Sequence, residues 1–171
     1  MKGYLQVYTG NGKGKTTAAL GLAIRAVGAG MKVFIAQFVK GMHYSELDAL
    51  KRYSDMITIK QFGRSSFIHS NPEKEDIEKA RKGLKEVERI LKSGDYPIVI
   101  LDEANIALYF NLFTVEELID AISKRAFNVE VVVTGRYAPK KLIEYADLVT
   151  EMVEIKHYYK NGIVARKGIE K

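Results

Sequence analysis

Nine consecutive residues near the start of the chain, TGNGKGKTT at positions 9–17, constrain the fold more than any other feature. They follow a short apolar segment at residues 4–8 and lead into a helical pattern over residues 18–27. A glycine-rich loop between a strand and a helix can point its backbone N–H groups inward, because glycine has no Cβ to clash. These N–H groups and the helix N-terminus together form a cradle for an anion. The run therefore predicts a phosphate-binding loop.

The spacing of this loop differs at one position from the usual G-x-x-x-x-G-K-[ST] pattern. Thr9 stands where the first glycine is expected, and Gly10 follows one place later. The end of the pattern, Gly14-Lys15-Thr16, is intact. Lys15 can therefore place its charge on the terminal phosphates, and the Thr16 hydroxyl can bind the Mg²⁺ that accompanies them. The alternative is a glycine-rich turn with incidental lysines, which the flanking strand and helix patterns disfavour.

Composition narrows the possible functions. The 171 residues suit one domain, residues 1–171, and the formal charge of +6 favours an anionic ligand such as a nucleotide. Nucleic acid is not an expected partner, because the chain lacks a long Lys/Arg block or interleaved aromatic and basic residues. The absence of cysteine excludes disulfides, thiolate zinc sites and cysteine nucleophiles. No apolar run is long enough for a signal peptide or a membrane span, so we expect a cytoplasmic protein without membrane contact.

Apolar runs of strand length alternate with helical patterns along the chain, and several are apolar at successive positions, as in strands covered on both faces. The predicted strands are residues 3–8, 32–38, 56–62, 98–101, 129–134 and 148–155. The predicted helices are residues 16–27, 45–53, 72–91, 114–126 and 139–145. This alternation predicts an α/β fold of the P-loop, RecA-like type. Its mostly parallel sheet lies between helices on both faces, and the ligand binds at the carboxyl ends of the strands.

Two acids end the predicted fourth strand, PIVILDE at residues 97–103. In phosphate-loop proteins an acid at this point reaches Mg²⁺ directly or through water, so Asp102 and Glu103 are candidate metal ligands. Adjacent strand residues point to opposite faces; the two acids therefore have different roles, and the sequence leaves open which one binds the metal. The alternative is a pair of solvated acids. The histidines His43, His69 and His157 lack metal-ligand spacing and are expected to be structural or surface residues.

Three further polar residues follow predicted strands at the same edge of the sheet. Arg136, in the sequence Thr134-Gly135-Arg136, could bind a phosphate or carboxylate, or could be an ordinary surface arginine. Gln37 and Lys40 follow the second strand, where they could contact the ligand or simply mark the strand end.

A series of motifs beyond the loop resembles one enzyme family. The series is QFVKG at 37–41, LDE at 101–103, TGR at 134–136, ADLVTEM at 146–152, and IKH at 155–157 followed by Gly162 and Gly168. In this order, and together with TGNGKGKT, the motifs closely resemble the phosphate-loop type of corrinoid adenosyltransferase of the cobalamin pathway. The shifted glycine of the loop belongs to that family's pattern. The resemblance spans nearly the whole chain, and the Lys-His pair with its glycine-spaced tail is more discriminating than the loop.

The resemblance implies transfer of the 5′-deoxyadenosyl group of ATP to the cobalt of a reduced corrinoid, with release of triphosphate. The cob(I) corrinoid is the nucleophile, so the protein positions the ribose 5′-carbon, holds the leaving triphosphate and excludes water. The resemblance further implies Mg²⁺, a reductase that supplies cob(I), a homodimer, and a nucleotide that lies reversed relative to ordinary phosphate-loop ATPases.

The resemblance also assigns roles to residues. Lys15 and Arg136 are the candidate catalytic residues, and Thr16 with Glu103 or Asp102 would bind Mg²⁺. The expected nucleotide and corrinoid ligands are Gly10, Asn11, Gly12, Lys13, Gly14, Lys15, Thr16, Thr17, Gln37, Lys40 and Phe67. Residues 63–68, GRSSFI, depart from the family's Gly-Phe-Thr-Trp-like stretch, and the chain has no Trp. Phe67 would either replace one aromatic beside the corrinoid or belong to the hydrophobic core. We expect this chain to lack the segment that precedes the first strand and helps cover the site in longer relatives.

Two other functions could use the same loop. One is an ATP-dependent switch or regulatory ATPase, and the other is a small-molecule kinase, for which Arg64 and Arg136 could serve as lid arginines. The released product distinguishes them, because adenosyl transfer releases triphosphate and either alternative releases ADP.

Overall fold

The computed structural model describes residues 1–66, 68 and 71–170. These residues form a six-stranded parallel sheet with the strand order β3-β2-β4-β5-β1-β6. The strands are β1 (Leu5–Thr9), β2 (Val33–Phe38), β3 (Ile57–Phe62), β4 (Ile98–Asp102), β5 (Glu130–Thr134) and β6 (Leu148–Glu151). The helices are α1 (Lys15–Gly28), α2 (Ser45–Leu50), α3 (Lys74–Ser93), α4 (Ala104–Tyr109), α5 (Val115–Ser123) and α6 (Lys140–Tyr145), with short 3₁₀ turns at Lys51–Tyr53 and Tyr158–Asn161. The predicted α/β fold is confirmed.

The hydrophobic core lies on both faces of the sheet. On one face, Phe34 of β2 and Val99 of β4 belong to a cluster with residues of α3, α4, α5 and α6. On the other face, the neighbouring residues Ile35 and Ile100 belong to a cluster with Ala23 of α1. Successive strand residues therefore enter different clusters, which explains why the central strands are apolar at every position.

The last strand is shorter than its sequence pattern predicts. We expect residues 148–155 from the pattern, but β6 ends at Glu151. The Met152 N–H donates to the Thr9 carbonyl oxygen, and beyond this point the chain leaves the sheet. Ile155 is 96% exposed, so its apolar side chain is not packed against the rest of the described chain. The prediction failed here because apolar periodicity does not reveal whether a partner surface exists.

Two helix predictions also need correction. Helix α4 is absent from the prediction, because a six-residue apolar segment directly after a strand has no helical period to detect. Helix α3 begins at Lys74 rather than at residue 72, because Glu73 forms a reciprocal capping box with Asp76. The capping box of α5, predicted from Thr114 and Glu117, is present.

The strand order brings the candidate residues to one edge. Strands β4, β5 and β1 are neighbours, so Asp102, Thr134 and the loop after Thr9 leave the sheet side by side. Such an edge is where open α/β sheets bind ligands. None of the helices in the described part of the chain has the length and hydropathy needed to cross a membrane.

Close packing between α3 and β3 predicts a stability difference between two glycines. A Cβ added at Gly83 of α3 would lie 2.5 Å from Cγ of the buried Phe62. We expect Gly83→Ala to destabilise the fold by about 1–3 kcal/mol, because the strain exceeds the gain in helix propensity. Gly21 of α1 is the matched control, since an added Cβ there meets no atom within 4 Å. Gly21→Ala should stabilise by up to about 1 kcal/mol. Urea unfolding measures both variants, and equal stabilisation would contradict the close contact.

Candidate active site

The phosphate loop is shaped by two glycines and by the chain after β6. Gly10 and Gly14 adopt φ angles of 93° and 118°, which side chains rarely allow. A Cβ on Gly10 would lie 2.4 Å from the Met152 carbonyl oxygen, and one on Gly12 would lie 2.7 Å from the same atom. The Gly12 N–H donates to this oxygen at 2.6 Å, so this amide of the loop is occupied by the chain itself.

Lys15 lies inside the loop. Its Nζ donates to the carbonyl oxygens of Gly10, at 2.8 Å, and Gly12, at 2.6 Å. Burial lowers the pKa of Lys15, and the nearby Arg136 guanidinium adds to this effect. Lys15 is also the first residue of α1, so the N–H groups of the first turn, including those of Thr16 and Thr17, have no acceptor within the helix. The loop therefore combines a buried ammonium group with a helix N-terminus, as an anion site requires.

Asp102 is the most heavily bonded side chain of the site. It is 1% exposed, and its Oδ1 accepts from the hydroxyls of Thr16, at 2.8 Å, and Thr134, at 2.7 Å. Its Oδ2 accepts from Lys40 Nζ at 2.7 Å and from Gln37 Nε2 at 3.3 Å. A carboxylate offers about four acceptor positions, so the protein itself saturates Asp102.

Lys40 and Gln37 therefore lie in the site but face Asp102. Lys40 Nζ is also 4.0 Å from Glu46 Oε1 and 5.2 Å from the centre of the Tyr44 ring. Burial alone would lower the pKa of Lys40, but the nearby carboxylates, Asp102 first and then Glu103 and Glu46, together outweigh burial and raise it. Gln37 is 1% exposed and accepts from Gln61 Nε2 at 3.1 Å. Both side chains therefore hold the Asp102 carboxylate in place by donating to its Oδ2 atom.

Glu103 differs from Asp102 in its backbone conformation and in the contacts of its carboxylate. Its backbone is left-handed, with a φ of 58°, and its N–H donates to the Thr134 hydroxyl at 3.1 Å. Its carboxylate makes no hydrogen bond or ion pair with a described residue. A Cβ on Gly135 would come within 3.2 Å of Glu103 Oε2, so the carboxylate faces the loop after β5. Burial raises the pKa of Glu103, and the charge of Asp102 raises it further. Of the two acids, Glu103 is the one whose carboxylate oxygens accept no hydrogen bond from a described residue.

A cavity of about 400 Å³ opens beside the loop. The residues that line it are Asn11, Arg136, Tyr137, Glu151, Val153, Glu154 and Lys160. The Arg136 guanidinium and the Glu151 carboxylate form no hydrogen bond or ion pair with the described residues, whereas Glu154 and Lys160 pair at 2.5 Å. The Tyr137 ring packs on Tyr109, with 4.6 Å between ring centres. The cavity is therefore lined by one cation, Arg136, and one anion, Glu151, that have no partner among the described residues, and by the aromatic ring of Tyr137.

Two of the candidate residues, Lys13 and Arg64, do not join this group. Lys13 turns away from the loop and donates to the Ile169 carbonyl oxygen at 2.7 Å. Arg64, which the kinase alternative would use, lies 2.6 Å from Glu73 Oε1 at the start of α3. Phe67 lies outside the described residues, so its predicted position beside the corrinoid stays a prediction.

Sequence reasoning missed two contributors to the site. Thr134 was recognised only as part of a motif, although its place at the end of a strand beside β4 is a signal that it could reach Asp102. Glu151 could have been found in the same way, because it ends β6 in register with Thr9. Neither residue type is distinctive enough to be chosen without the strand order.

The chain matches the family model described as ATP:corrinoid adenosyltransferase BtuR/CobO/CobP over residues 1–170. It belongs to this family. The corrinoid adenosyltransferase of Pseudomonas aeruginosa is 39% identical over 170 residues, which cover 99% of this chain and 84% of the relative. The enzyme of the same name from Escherichia coli is 34% identical over 171 residues, which cover 99% of this chain and 86% of the relative. The corrinoid adenosyltransferase CobA of Salmonella typhimurium is 33% identical with the same coverage. The predicted family resemblance is confirmed.

The contrast between the two acids predicts effects of different size on stability. Asp102→Ala leaves the buried Lys40 ammonium without its partner and should lower the free energy of unfolding by about 3–5 kcal/mol. Glu103→Ala removes a carboxylate without a hydrogen bond and should change stability by less than about 1 kcal/mol, or increase it. Urea unfolding of both variants tests this. A larger loss for Glu103→Ala than for Asp102→Ala would contradict the assigned contacts.

Proposed function

We propose that this chain transfers the 5′-deoxyadenosyl group of ATP to the cobalt of a reduced corrinoid and releases triphosphate. The observation that carries the proposal is the family match over residues 1–170, since every relative described above is named for this activity. The geometry agrees with the match, because the family's loop here forms an anion cradle beside an open cavity.

The loop is the binding site for the triphosphate. Lys15 donates to two neutral carbonyl oxygens inside it, and phosphate oxygens are stronger acceptors because they are charged. The unpaired Arg136 guanidinium approaches the same region and can hold a second phosphate oxygen. Lys15 and Arg136 thereby act as the catalytic residues, since they stabilise the charge that develops on the leaving triphosphate.

The residues beside the loop suit Mg²⁺. The Thr16 hydroxyl donates a hydrogen bond to Asp102, so the lone pairs of the Thr16 oxygen point away from that carboxylate. Glu103 supplies a carboxylate with no other partner among the described residues. Mg²⁺ in nucleotide sites takes one or two protein oxygens and completes its shell with phosphates and water. In the part of the chain that the structure describes, no group of three or more His, Asp or Glu side chains is arranged so that it could hold a metal ion by itself. When bound, Mg²⁺ neutralises triphosphate charge; Thr16 and Glu103 would hold it, and Asp102 orients Thr16.

The cavity beside Asn11 suits the nucleoside. The Tyr137 ring offers an apolar face for a purine, and the Glu151 carboxylate can accept hydrogen bonds from ribose hydroxyls. Gly41 and Gly63 bring the loops after β2 and β3 into backbone contact, since an added Cβ on either would lie 2.4 Å from the other loop. By family resemblance, the corrinoid would lie against this pair of loops.

The reaction then needs no nucleophile from the protein. The electron pair of cob(I) attacks the ribose 5′-carbon, and a Co–C bond forms. The bond between that carbon and the triphosphate oxygen breaks, and its electron pair leaves on the triphosphate. Cobalt is formally oxidised from +1 to +3. The protein aligns the two substrates and keeps the charged leaving group in a preorganised environment.

We also infer a homodimer supplied with cob(I) by a reductase, as the family resemblance implies. The exposed edge of the sheet supports the dimer. Strand β6 pairs with β1 alone among the described strands, and its Leu148 and Val149 are 46% and 39% exposed. Exposed edge strands with apolar side chains are commonly covered by another chain.

Product analysis tests the proposed activity. Anaerobic incubation with ATP, Mg²⁺ and a chemically reduced corrinoid should yield adenosylated corrinoid and triphosphate in equal amounts. ADP in place of triphosphate would identify a kinase or an ATPase and would refute adenosyl transfer.

Lys15→Ala should weaken ATP binding without unfolding the chain. Loss of one charge-assisted contact costs about 1.5–3 kcal/mol, or roughly 10- to 150-fold in affinity. Lys51→Ala is the control, because the Lys51 side chain is 72% exposed and, among the described residues, pairs with surface Asp48 alone. Calorimetric titration with Mg·ATP measures both variants. Unchanged affinity in folded Lys15→Ala would remove the phosphate-loop assignment.

Glu103→Gln should raise the Mg²⁺ concentration needed for ATP binding by roughly tenfold or more, because an amide is a poorer ligand than a carboxylate. The protein should remain as stable as the unsubstituted chain. Titration of ATP binding against Mg²⁺ measures the effect. If the Mg²⁺ requirement shifts in Asp102→Asn and not in Glu103→Gln, the metal ligand is Asp102.

A further inference from the structure

The chain beyond β6 returns to the phosphate loop and binds the side chain of Lys13 there. The Lys13 Nζ donates to the Ile169 carbonyl oxygen at 2.7 Å, to Glu170 Oε1 at 2.9 Å and to the Tyr158 hydroxyl at 3.4 Å. An ammonium group has three donors, so these contacts use all of them. We call Tyr158, Arg166, Ile169 and Glu170 the C-terminal clasp.

Glu170 is the centre of the clasp. Besides Lys13, its carboxylate accepts from the Tyr158 hydroxyl, from the Arg166 backbone N–H at 2.8 Å and from Arg166 Nη2 at 3.3 Å. The Arg166 guanidinium lies 4.9 Å from the centre of the Tyr158 ring. Only 18% of the Glu170 side chain is exposed. Hydrogen bonds from Arg166, Tyr158 and Lys13 lower the pKa of Glu170, and the Glu170 carboxylate raises the pKa of Lys13. Glu170 and Lys13 are therefore both charged at neutral pH.

The clasp and Met152 hold adjacent residues of the loop. Met152 accepts from the Gly12 N–H at 2.6 Å, and the clasp binds the next side chain along, Lys13. Glycine-rich backbone is flexible, and a loop that must aim several N–H groups at one anion loses affinity when it samples other shapes. Two external anchors on neighbouring residues restrict that sampling.

We propose that Glu170 is a positioning residue that acts through Lys13, and that the C-terminal clasp holds the phosphate loop in its anion-binding shape. Lys13 is then an anchor of the loop and not a ligand of the triphosphate. This inference rests on the proposed binding of ATP at the loop.

Electrostatics and positioning predict opposite effects for Glu170→Gln. A carboxylate beside an anion site repels the anion, so its removal alone would tighten the binding of Mg·ATP. If Glu170 positions the loop, the same substitution weakens binding. The sign of the change therefore separates the two effects without a need for accurate magnitudes.

The test compares the full-length chain with Glu170→Gln, Lys13→Met and the double variant, by calorimetric titration with Mg·ATP. We expect each single variant to bind about three- to tenfold more weakly, and the double variant to be no weaker than the singles, since both remove one interaction. Glu86→Gln is the matched control. Glu86 lies on α3 and forms a surface ion pair with Lys60 of β3, so the substitution removes the same charge and should leave affinity unchanged. Equal or tighter binding by Glu170→Gln would overturn the proposal.

Hydrogen exchange of the nucleotide-free chain provides a readout independent of ATP. The amides of residues 10–16 should exchange faster in Glu170→Gln and Lys13→Met, whereas those of β4 should not change. Unchanged exchange at residues 10–16 would refute the clasp, whatever the enzyme does with ATP. Faster exchange together with release of ADP by the unsubstituted chain would support the clasp and refute adenosyl transfer.

Discussion

The saturated carboxylate of Asp102 is the contact on which the rest of the site depends. A buried carboxylate is tolerated only when its acceptor positions are filled and its charge is paired. Here the donors come from α1, β2, β5 and the loop after β2, through Thr16, Gln37, Thr134 and Lys40. Satisfying one carboxylate therefore brings four parts of the chain together at the carboxyl edge of the sheet.

This arrangement also separates the roles of two adjacent acids. Because Asp102 ends β4 and faces its donors, Glu103 can turn the chain sharply with a φ of 58° and direct its side chain elsewhere. Val39 and Tyr137 adopt similar left-handed angles, of 58° and 61°, shortly after β2 and β5. Such backbone costs about 1–3 kcal/mol for each residue and persists only where surrounding structure requires it. The strain lies at the edge of the sheet that carries the site.

Local patterns predicted the parts of the fold whose cause is local. The phosphate loop, the α5 capping box and most strands have their signals within a few residues, and the structure contains them. The partners of Lys13 and Asp102 could not be predicted in this way. The oxygen that Lys13 binds is 156 residues away in sequence, and the lysine on Asp102 is 62 residues away. The order of the strands decides the pair at Asp102, and the course of the chain beyond β6 decides the pair at Lys13. Both depend on the fold of the whole chain.

The position of Lys15 explains how a loop of this kind can stabilise a leaving group. Folding has already buried the ammonium group and placed it against two carbonyl oxygens, which lowers its pKa because neutral acceptors replace water poorly. In the proposed reaction, a triphosphate that entered the loop would exchange these neutral acceptors for charged ones, so the contact with Lys15 would become stronger as negative charge accumulates. The desolvation and the orientation of Lys15 are both complete before the substrate arrives. The remaining change during the reaction is the growth of charge on the leaving oxygen, which is the quantity that a preorganised cation stabilises best.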